Sequence, residues 1–329
     1  MLNKKGKMNK RGFEFSFVWL FSIVVGAIII FLAIYTATKL IGSNEYEINT
    51  KTAADLRNIL NPLGTSFEDS KSEKIELIKD TRVYVTCNSE KGGFGENRIQ
   101  LSEKSSFKDW SEPGGDVNIE NQYLFAENVI QGRTVYFIVT PFEMPYKVAD
   151  VMSAFNQKYC FVNTPEKIKK ELEALKGDIL PINITNSPSQ CERDSVSVCF
   201  QSNGCDINVK GTCTGQECKG DFYKNGIVEK NNTQLYYTSG LLYGAIFSSP
   251  ENYQCNVKRL VRKLGYVSEV YSEKSRLSAN RCNTGLQPDT LLMSKLSESY
   301  KGLNDLKIIE VQSGIIDTKN NLLGECNLY

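Results

Sequence analysis

The chain contains no histidine among its 329 residues. Ser-His-Asp and Cys-His nucleophile systems, His-ligated zinc and His-ligated haem are therefore excluded. Nucleophilic chemistry would fall to a Ser-Lys pair, a cysteine or paired carboxylates, and proton transfer to Asp, Glu, Lys, Tyr or Cys.

One short pattern has the spacing of a Ser-Lys nucleophile. Ser105 and Lys108 form S-x-x-K, but neither S-D-N nor K-T-G follows, and so short a pattern arises by chance. Asp206 and Glu143 are single acids without a partner that spacing identifies, which is typical of loop solvation or capping. The sequence therefore predicts a protein that is not an enzyme, with no catalytic residue, no cofactor and no metal site.

The cysteines are the other reactive groups, and their number is even. An even set in one part of a chain is typical of disulfides formed in an oxidising compartment. The alternative is a metal cluster between Cys191 and Cys218, but the chain has no C-x-x-C pair and no histidine to complete a mixed site. The disulfide candidates are Cys87, Cys160, Cys191, Cys199, Cys205, Cys213, Cys218, Cys255, Cys282 and Cys326.

One disulfide has a geometric argument. Helices predicted over about 250–277 and 288–307 would form an antiparallel hairpin, which returns the chain to the start of the first helix. We therefore expect Cys326 to pair with Cys255.

The element that positions everything else is an apolar segment near the N-terminus. Phe15 to Thr38 is a run of 24 residues without a charge, which as a helix reaches about 36 Å and crosses a bilayer. No A-x-A cleavage pattern follows, so we expect an uncleaved anchor over 13–41 rather than a secretory signal. The competing interpretation is a buried helix of a soluble core.

Charge sets the expected orientation of this anchor. The tail over 1–12 holds five cations and no acid, whereas Glu45 and Glu47 follow the span. We expect a single-pass protein of the cell membrane with a cytoplasmic N-terminus and an extracytoplasmic body that carries all the cysteines. The bilayer is then the partner of 13–41.

The apolar spacing continues past the membrane and predicts one helix from Phe13 to Leu60, which Pro62 ends. We expect a helix extension over 42–63 and an ectodomain over 64–329 of the α+β class, with a mainly antiparallel sheet, further helices and the C-terminal hairpin. Strands are predicted at 75–78, 82–87, 98–101, 123–126, 135–141, 159–162, 180–185 and 195–200. Helices are predicted from Thr164 to Gly177 and over 241–247.

Charge also bears on partners. Without the tail cations, Lys39 and Glu14, the chain keeps 33 cations and 37 acids, a net charge of −4. The one dense basic patch alternates with apolar residues at helical spacing, so we expect a solvated helix face and no nucleic-acid binding: Lys258, Arg259, Arg262 and Lys263. Asn183 and Asn231 begin N-x-S/T triplets and are glycosylation candidates.

The N-terminal residues Lys10-Arg11-Gly12-Phe13-Glu14 and the apolar run after them resemble the class III signal of type IV pilins and their archaeal relatives. The resemblance implies a prepilin peptidase that cuts after Gly12 and leaves Phe13 as the new N-terminus. It also implies a long helix packed on a sheet-containing head. Bacterial pilins carry a glutamate at the fifth mature position, where this chain has Phe17. An ordinary signal-anchor remains the alternative.

The remainder, including the residues 159–162 and 247–255, is similar to uncharacterised single-span surface proteins of small-genome archaea. We therefore expect a non-enzymatic envelope protein whose ectodomain makes structural or adhesive contacts. One alternative is a pilin-like filament subunit that self-associates through its membrane helix at Gly26 and Ala27. The other is an anchored hydrolase or ligand receptor, which requires a concave pocket with converging polar groups.

Overall fold

A computed structural model describes residues 17–63, 70–105, 110–176, 179–200, 203–211, 224–280, 282 and 284–329. These residues form an α+β structure. The helices are α1 Phe17–Leu63, α2 Glu166–Lys176, α3 Leu241–Phe247, α4 Pro250–Ser278, α5 Gln287–Glu298 and α6 Leu303–Asn321. The strands are β1 Lys71–Asn88, β2 Glu96–Glu103, β3 Val117–Glu120, β4 Tyr123–Ala126, β5 Val129–Glu143, β6 Lys147–Phe155, β7 Lys158–Val162, β8 Ile182–Thr185, β9 Ser195–Phe200, β10 Ile207–Gly211, β11 Asn225–Lys230 and β12 Thr233–Thr238.

The first sheet has the strand order β3-β2-β1-β5-β6-β4. Its neighbours pair antiparallel except for β4 and β6, which run parallel. The two strands predicted at 75–78 and 82–87 are one strand, β1, with a register shift against β5 between Glu76 and Thr81. Such a bulge leaves extra residues unpaired and bends the strand.

The second sheet has the order β12-β11-β10-β9-β7-β8, and the expectation of a mainly antiparallel sheet is wrong for it. Four neighbouring strands, β8, β7, β9 and β10, run parallel. Parallel neighbours need a crossover rather than a hairpin, and α2 is the crossover between β7 and β8. Local spacing does not reveal such pairings, because they join strands that are not linked by a tight turn.

The two faces of the first sheet belong to different apolar cores. Along β4, Leu124 and Ala126 face the core that includes α1, whereas Tyr123 and Phe125 face the core beneath α3 and α4. This alternation is the two-residue period of a strand buried on both sides. The first sheet therefore lies between α1 and the C-terminal helices.

The C-terminal helices form three antiparallel segments instead of a hairpin. The expected second helix over 288–307 is broken at 299–302, where α5 ends and Asp305 accepts hydrogen bonds from the amides of Lys301 and Gly302 to begin α6. Gln312 and Lys319 of α6 contact Asp289 at the start of α5, so α6 runs back along α5. The extra reversal brings the chain end to the C-terminal end of α4.

Candidate membrane anchor and its junction with the head

Helix α1 has two halves of different character. The stretch from Phe17 to Pro62 contains a window with a mean hydropathy of 2.9, none of which is buried inside the protein. Its apolar side chains point outwards, as at Phe17 (79% exposed) and Phe31 (68% exposed). By length and composition this helix can cross a bilayer. The Thr36 hydroxyl donates to the carbonyl of Leu32 at 2.8 Å, which satisfies a polar group within the apolar half.

The outer half of α1 packs on the head, a name we use for residues 70–329. Ala53, Leu56 and Leu60 are buried at helical spacing and join the core formed by the first sheet. The helix contacts β2 and β3 of that sheet. The predicted single helix is present and continues past Pro62 to Leu63, while its expected start at Phe13 lies outside the described residues. Ile48 and Ile59 remain about half exposed, so only part of the apolar spacing faces the head.

Hydrogen bonds close both ends of this apolar contact. At the end nearer the apolar half of α1, Asn49 Nδ2 donates to Ser111 Oγ and to the Glu112 carbonyl, each at 2.9 Å. The adjacent backbone is close: a Cβ on Gly114 would lie 2.6 Å from the Thr50 nitrogen. At the far end, Gln122 Nε2 donates to the carbonyls of Leu60 and Asn61 at 3.2 and 3.1 Å.

Arg259 connects this junction to the C-terminal helices. Its side chain is fully buried, so the expectation that it belongs to a solvated face is wrong. The guanidinium makes one hydrogen bond for each of its five N–H donors. The acceptors are the carbonyls of Phe94 (2.9 Å), Gly95 (3.2 Å) and Gln122 (2.9 Å) and the side-chain oxygens of Asn256 (2.7 Å) and Asn97.

None of these acceptors is a carboxylate, so the buried charge is stabilised by dipoles and by the Tyr123 ring, 4.8 Å from the Arg259 guanidinium carbon. Burial lowers the pKa of Arg259 to about 10, which still leaves it charged at neutral pH. The three segments held together are the β1–β2 turn, the β3–β4 turn and α4. The Gly92–Gly95 run forms the turn between β1 and β2, and the carbonyls of Phe94 and Gly95 in this turn accept hydrogen bonds from Arg259.

The other three cations of the basic patch make two kinds of contact. Lys263 also faces the sheet, and burial lowers its pKa. Lys258 pairs with Glu90 at 2.5 Å, and Arg262 donates to the Ser89 carbonyl at 2.6 Å. A signal for this arrangement was present in the sequence. Asn252, Asn256, Arg259 and Lys263 recur every three or four residues and form a polar stripe beside the apolar one.

Eight of the ten cysteines form four disulfides, as the even count predicts: Cys87–Cys255, Cys160–Cys191, Cys199–Cys205 and Cys282–Cys326. The predicted Cys255–Cys326 pair is wrong, because the reversal at α6 carries Cys326 to the end of α4, where Cys282 lies. Cys213 and Cys218 lie outside the described residues. Cys87–Cys255 ties β1 to α4 near the Arg259 contacts and closes a separation of 168 residues.

The other residues singled out in the sequence do not meet in one place. Gly12, Phe13 and Lys108 lie outside the described residues, and Ser105 follows the end of β2. Asp206 accepts hydrogen bonds from the Ser197 amide at 2.8 Å and from the Ser197 hydroxyl at 2.7 Å, which connects it to β9 and lowers the pKa of Asp206. Glu143 is exposed at the end of β5.

Both glycosylation candidates are exposed. Asn183 lies on β8, the edge of the second sheet, and Asn231 lies in the two-residue turn between β11 and β12 with φ of 49°. Asparagine tolerates this left-handed conformation better than most residues.

A groove runs between α4 and α5 and holds about 340 Å³. Its wall includes both charges, with Lys258 and Arg262 against Glu269 and Glu298, and the exposed ring of Tyr266. Ser105, Asp206 and Glu143 do not line it. The groove is the feature that a ligand-receptor alternative would use.

No family model, curated protein or solved structure matches this chain.

Proposed function

We propose that this chain is a non-enzymatic envelope protein, anchored in the cell membrane by α1, with a disulfide-stapled head outside the membrane for structural or adhesive contacts. One observation carries the proposal: α1 is a single helix whose first half exposes apolar side chains while its second half is built into the head core. An exposed apolar stretch of this length has a bilayer as its natural surroundings.

Two further observations support the location and the role. The disulfides favour an oxidising compartment for the head. On α6, Ile308, Val311 and Ile315 share one face by their spacing and are 56%, 66% and 40% exposed. An apolar stripe of this kind offers a surface for contact with another macromolecule.

Alkaline carbonate extraction of membranes from expressing cells tests the anchor. Ile30 and Ile34 are 60% exposed or more in the first half of α1, and lysine at each would cost about 5 to 7 kcal/mol together in a bilayer. We expect the I30K/I34K variant to be extracted and the native chain to stay in the pellet. The control is I48K/I59K, placed at half-exposed positions in the outer half. Extraction of the native chain, or equal retention of both variants, would contradict the anchor.

The pilin-like filament subunit is a second candidate, supported by the unbroken run of 47 residues in α1, which combines an exposed apolar half and a head-packed half. In that version a prepilin peptidase cuts after Gly12, and copies associate through the face that carries Gly26 and Ala27. Mass spectrometry of the mature N-terminus tests it. A chain that begins at Phe13 supports the subunit, and a chain that retains the Met1 tail contradicts it.

A further inference from the structure

The contacts between α1 and the head fix which end of the head is nearer the apolar half of α1. Asn49 and Thr50 of the helix form hydrogen bonds with residues 111–115, and residues 60–61 accept hydrogen bonds from Gln122. Arg259 joins Gln122 to Gly95, and the Gly114 amide donates to the Leu101 carbonyl at 2.9 Å. Strand β2 therefore runs from its far end at Glu96 towards the apolar half as it approaches Glu103.

Helix and strand dimensions give the height of the end of β2. Gly95 lies level with about residue 60 of α1, and Leu101 lies level with about residue 50. The two levels are about 20 Å apart along β2 and about 15 Å apart along the axis of α1. Three further residues reach Lys104, which is about 7 Å closer to the apolar half on the same scale. Since Thr50 lies about 16 Å beyond Lys39, Lys104 lies about 9 Å beyond Lys39. The polar headgroup layer is about 5 to 7 Å thick, so Lys104 lies close to its outer surface.

The residues at this height form one corner of the head, which we call the membrane-facing corner: Ile78, Lys79, Asp80, Arg82, Glu103, Lys104, Trp110 and Arg133. The backbone holds them together, because the Lys104 amide donates to the Asp80 carbonyl at 2.9 Å and Lys104 pairs with Trp110 across an isolated bridge.

The chemistry of the corner matches a lipid surface. Ile78 lies in the bulge of β1 and is 93% exposed, the highest value among the large apolar side chains described. The Arg82 guanidinium carbon lies 4.1 Å from the centre of the Trp110 ring. The corner carries four cations against Asp80 and Glu103, whereas the chain outside the tail and span has a net charge of −4. Tryptophan and cations are enriched at membrane interfaces, and cations attract anionic lipids.

We propose that this corner docks on the anionic headgroups of the bilayer that α1 crosses, with Ile78 and Trp110 at the lipid interface. The inference rests on the proposed anchor, which places Lys39 at the edge of the hydrocarbon. Docking at a second point fixes the head against the membrane instead of leaving it free to swing on α1. The partner is the lipid surface itself.

The two tryptophans of the chain, Trp19 in the apolar half of α1 and Trp110 in the corner, allow a test without added labels. The full chain is reconstituted in vesicles of phosphatidylcholine and phosphatidylglycerol at 3:1 that contain spin-labelled lipid, which quenches nearby indole fluorescence. In W19F the remaining signal comes from Trp110, and we expect headgroup-labelled lipid to reduce it at least twofold. In W110F the remaining signal comes from Trp19, and we expect acyl-labelled lipid to quench it.

The two readouts separate the possible failures. Loss of Trp19 quenching would contradict the membrane anchor, whereas quenching of Trp19 without quenching of Trp110 would overturn the docking alone. In the W19F background, I78D and K79E/K104E should each lower Trp110 quenching at least twofold and leave α1 inserted. L277D is the control, because Leu277 is 72% exposed at the far end of α4. Equal Trp110 quenching in vesicles of phosphatidylcholine alone would contradict the role of the cations.

Discussion

Replacement of Arg259 by methionine tests whether this buried cation holds the head together. Methionine keeps an unbranched apolar stem but removes the guanidinium group and all five donors. The carbonyls of Phe94, Gly95 and Gln122 and the side-chain oxygens of Asn97 and Asn256 then lose a partner. Asn97 Oδ1 still accepts from the Leu124 amide at 3.1 Å, so the loss is incomplete there.

Each buried acceptor left without a partner costs about 1 to 3 kcal/mol, and relaxation of the two turns recovers part of the sum. We therefore expect Arg259→Met to lower the free energy of unfolding by about 3 to 5 kcal/mol, which is among the larger losses that single substitutions cause. Arg259→Lys retains three donors and should fall between methionine and the native residue.

The assay is urea unfolding of the oxidised full chain in a mild detergent at pH 7, followed by near-ultraviolet circular dichroism. The expected loss shifts the midpoint by about 1 to 2 M. Arg262→Met is the matched control, because Arg262 lies on the same helix but is 29% exposed and pairs with exposed Glu90 at 3.6 Å, so it should cost less than about 1 kcal/mol. Equal midpoints for R259M and R262M would refute the reasoning.

Three further changes test other parts of the structure. Gly114→Val should loosen the outer half of α1, because its Cβ would lie 2.6 Å from the Thr50 nitrogen; limited proteolysis near Lys51 should accelerate severalfold, whereas Gly93→Val, with nothing within 4 Å, should leave the rate unchanged. Removal of Cys87–Cys255 should lower the free energy of unfolding by about 5 kcal/mol and removal of Cys199–Cys205 by about 2 kcal/mol, because the closed loops differ in length; equal losses in chemical unfolding would contradict this order. Asp206→Asn should cost about 0.5 to 1 kcal/mol at pH 7 for this largely exposed carboxylate. The folded pKa of Asp206 lies below the ordinary 3.8 because Ser197 donates to its carboxylate, so its contribution is present above pH 3.8 and is lost as the pH falls through the folded pKa. The difference between D206N and the native chain should therefore shrink as the pH falls below 3.8, and a difference that stays constant there would argue against the charge as its source.

Local signals in the sequence predicted the elements that have strong ends or long periods. Thr164-Pro165-Glu166 marks the start of α2, and Ser249-Pro250 marks the start of α4, where Ser249 Oγ accepts from the Asn252 amide at 3.3 Å. The long apolar run predicted α1 and its change from an exposed half to a packed half. These features depend on residues close together in the chain.

The features that were missed depend on distant residues. Strands such as β3, with four residues, have too short an alternation to be separated from a loop. The parallel pairing of β7 with β9 and the reversal at α6 are set by packing rather than by turn residues. The buried role of Arg259 needs acceptors from two turns that lie more than 130 residues away in the chain, which no local pattern shows.

Sidedness is the central claim of this account, and protease treatment of intact cells tests it most directly. Cells express the chain with one epitope at the N-terminus and another at the C-terminus. Protease outside the cells should remove the C-terminal epitope and the head while the N-terminal epitope stays intact. A head that survives on intact cells and is lost only after permeabilisation would contradict the account.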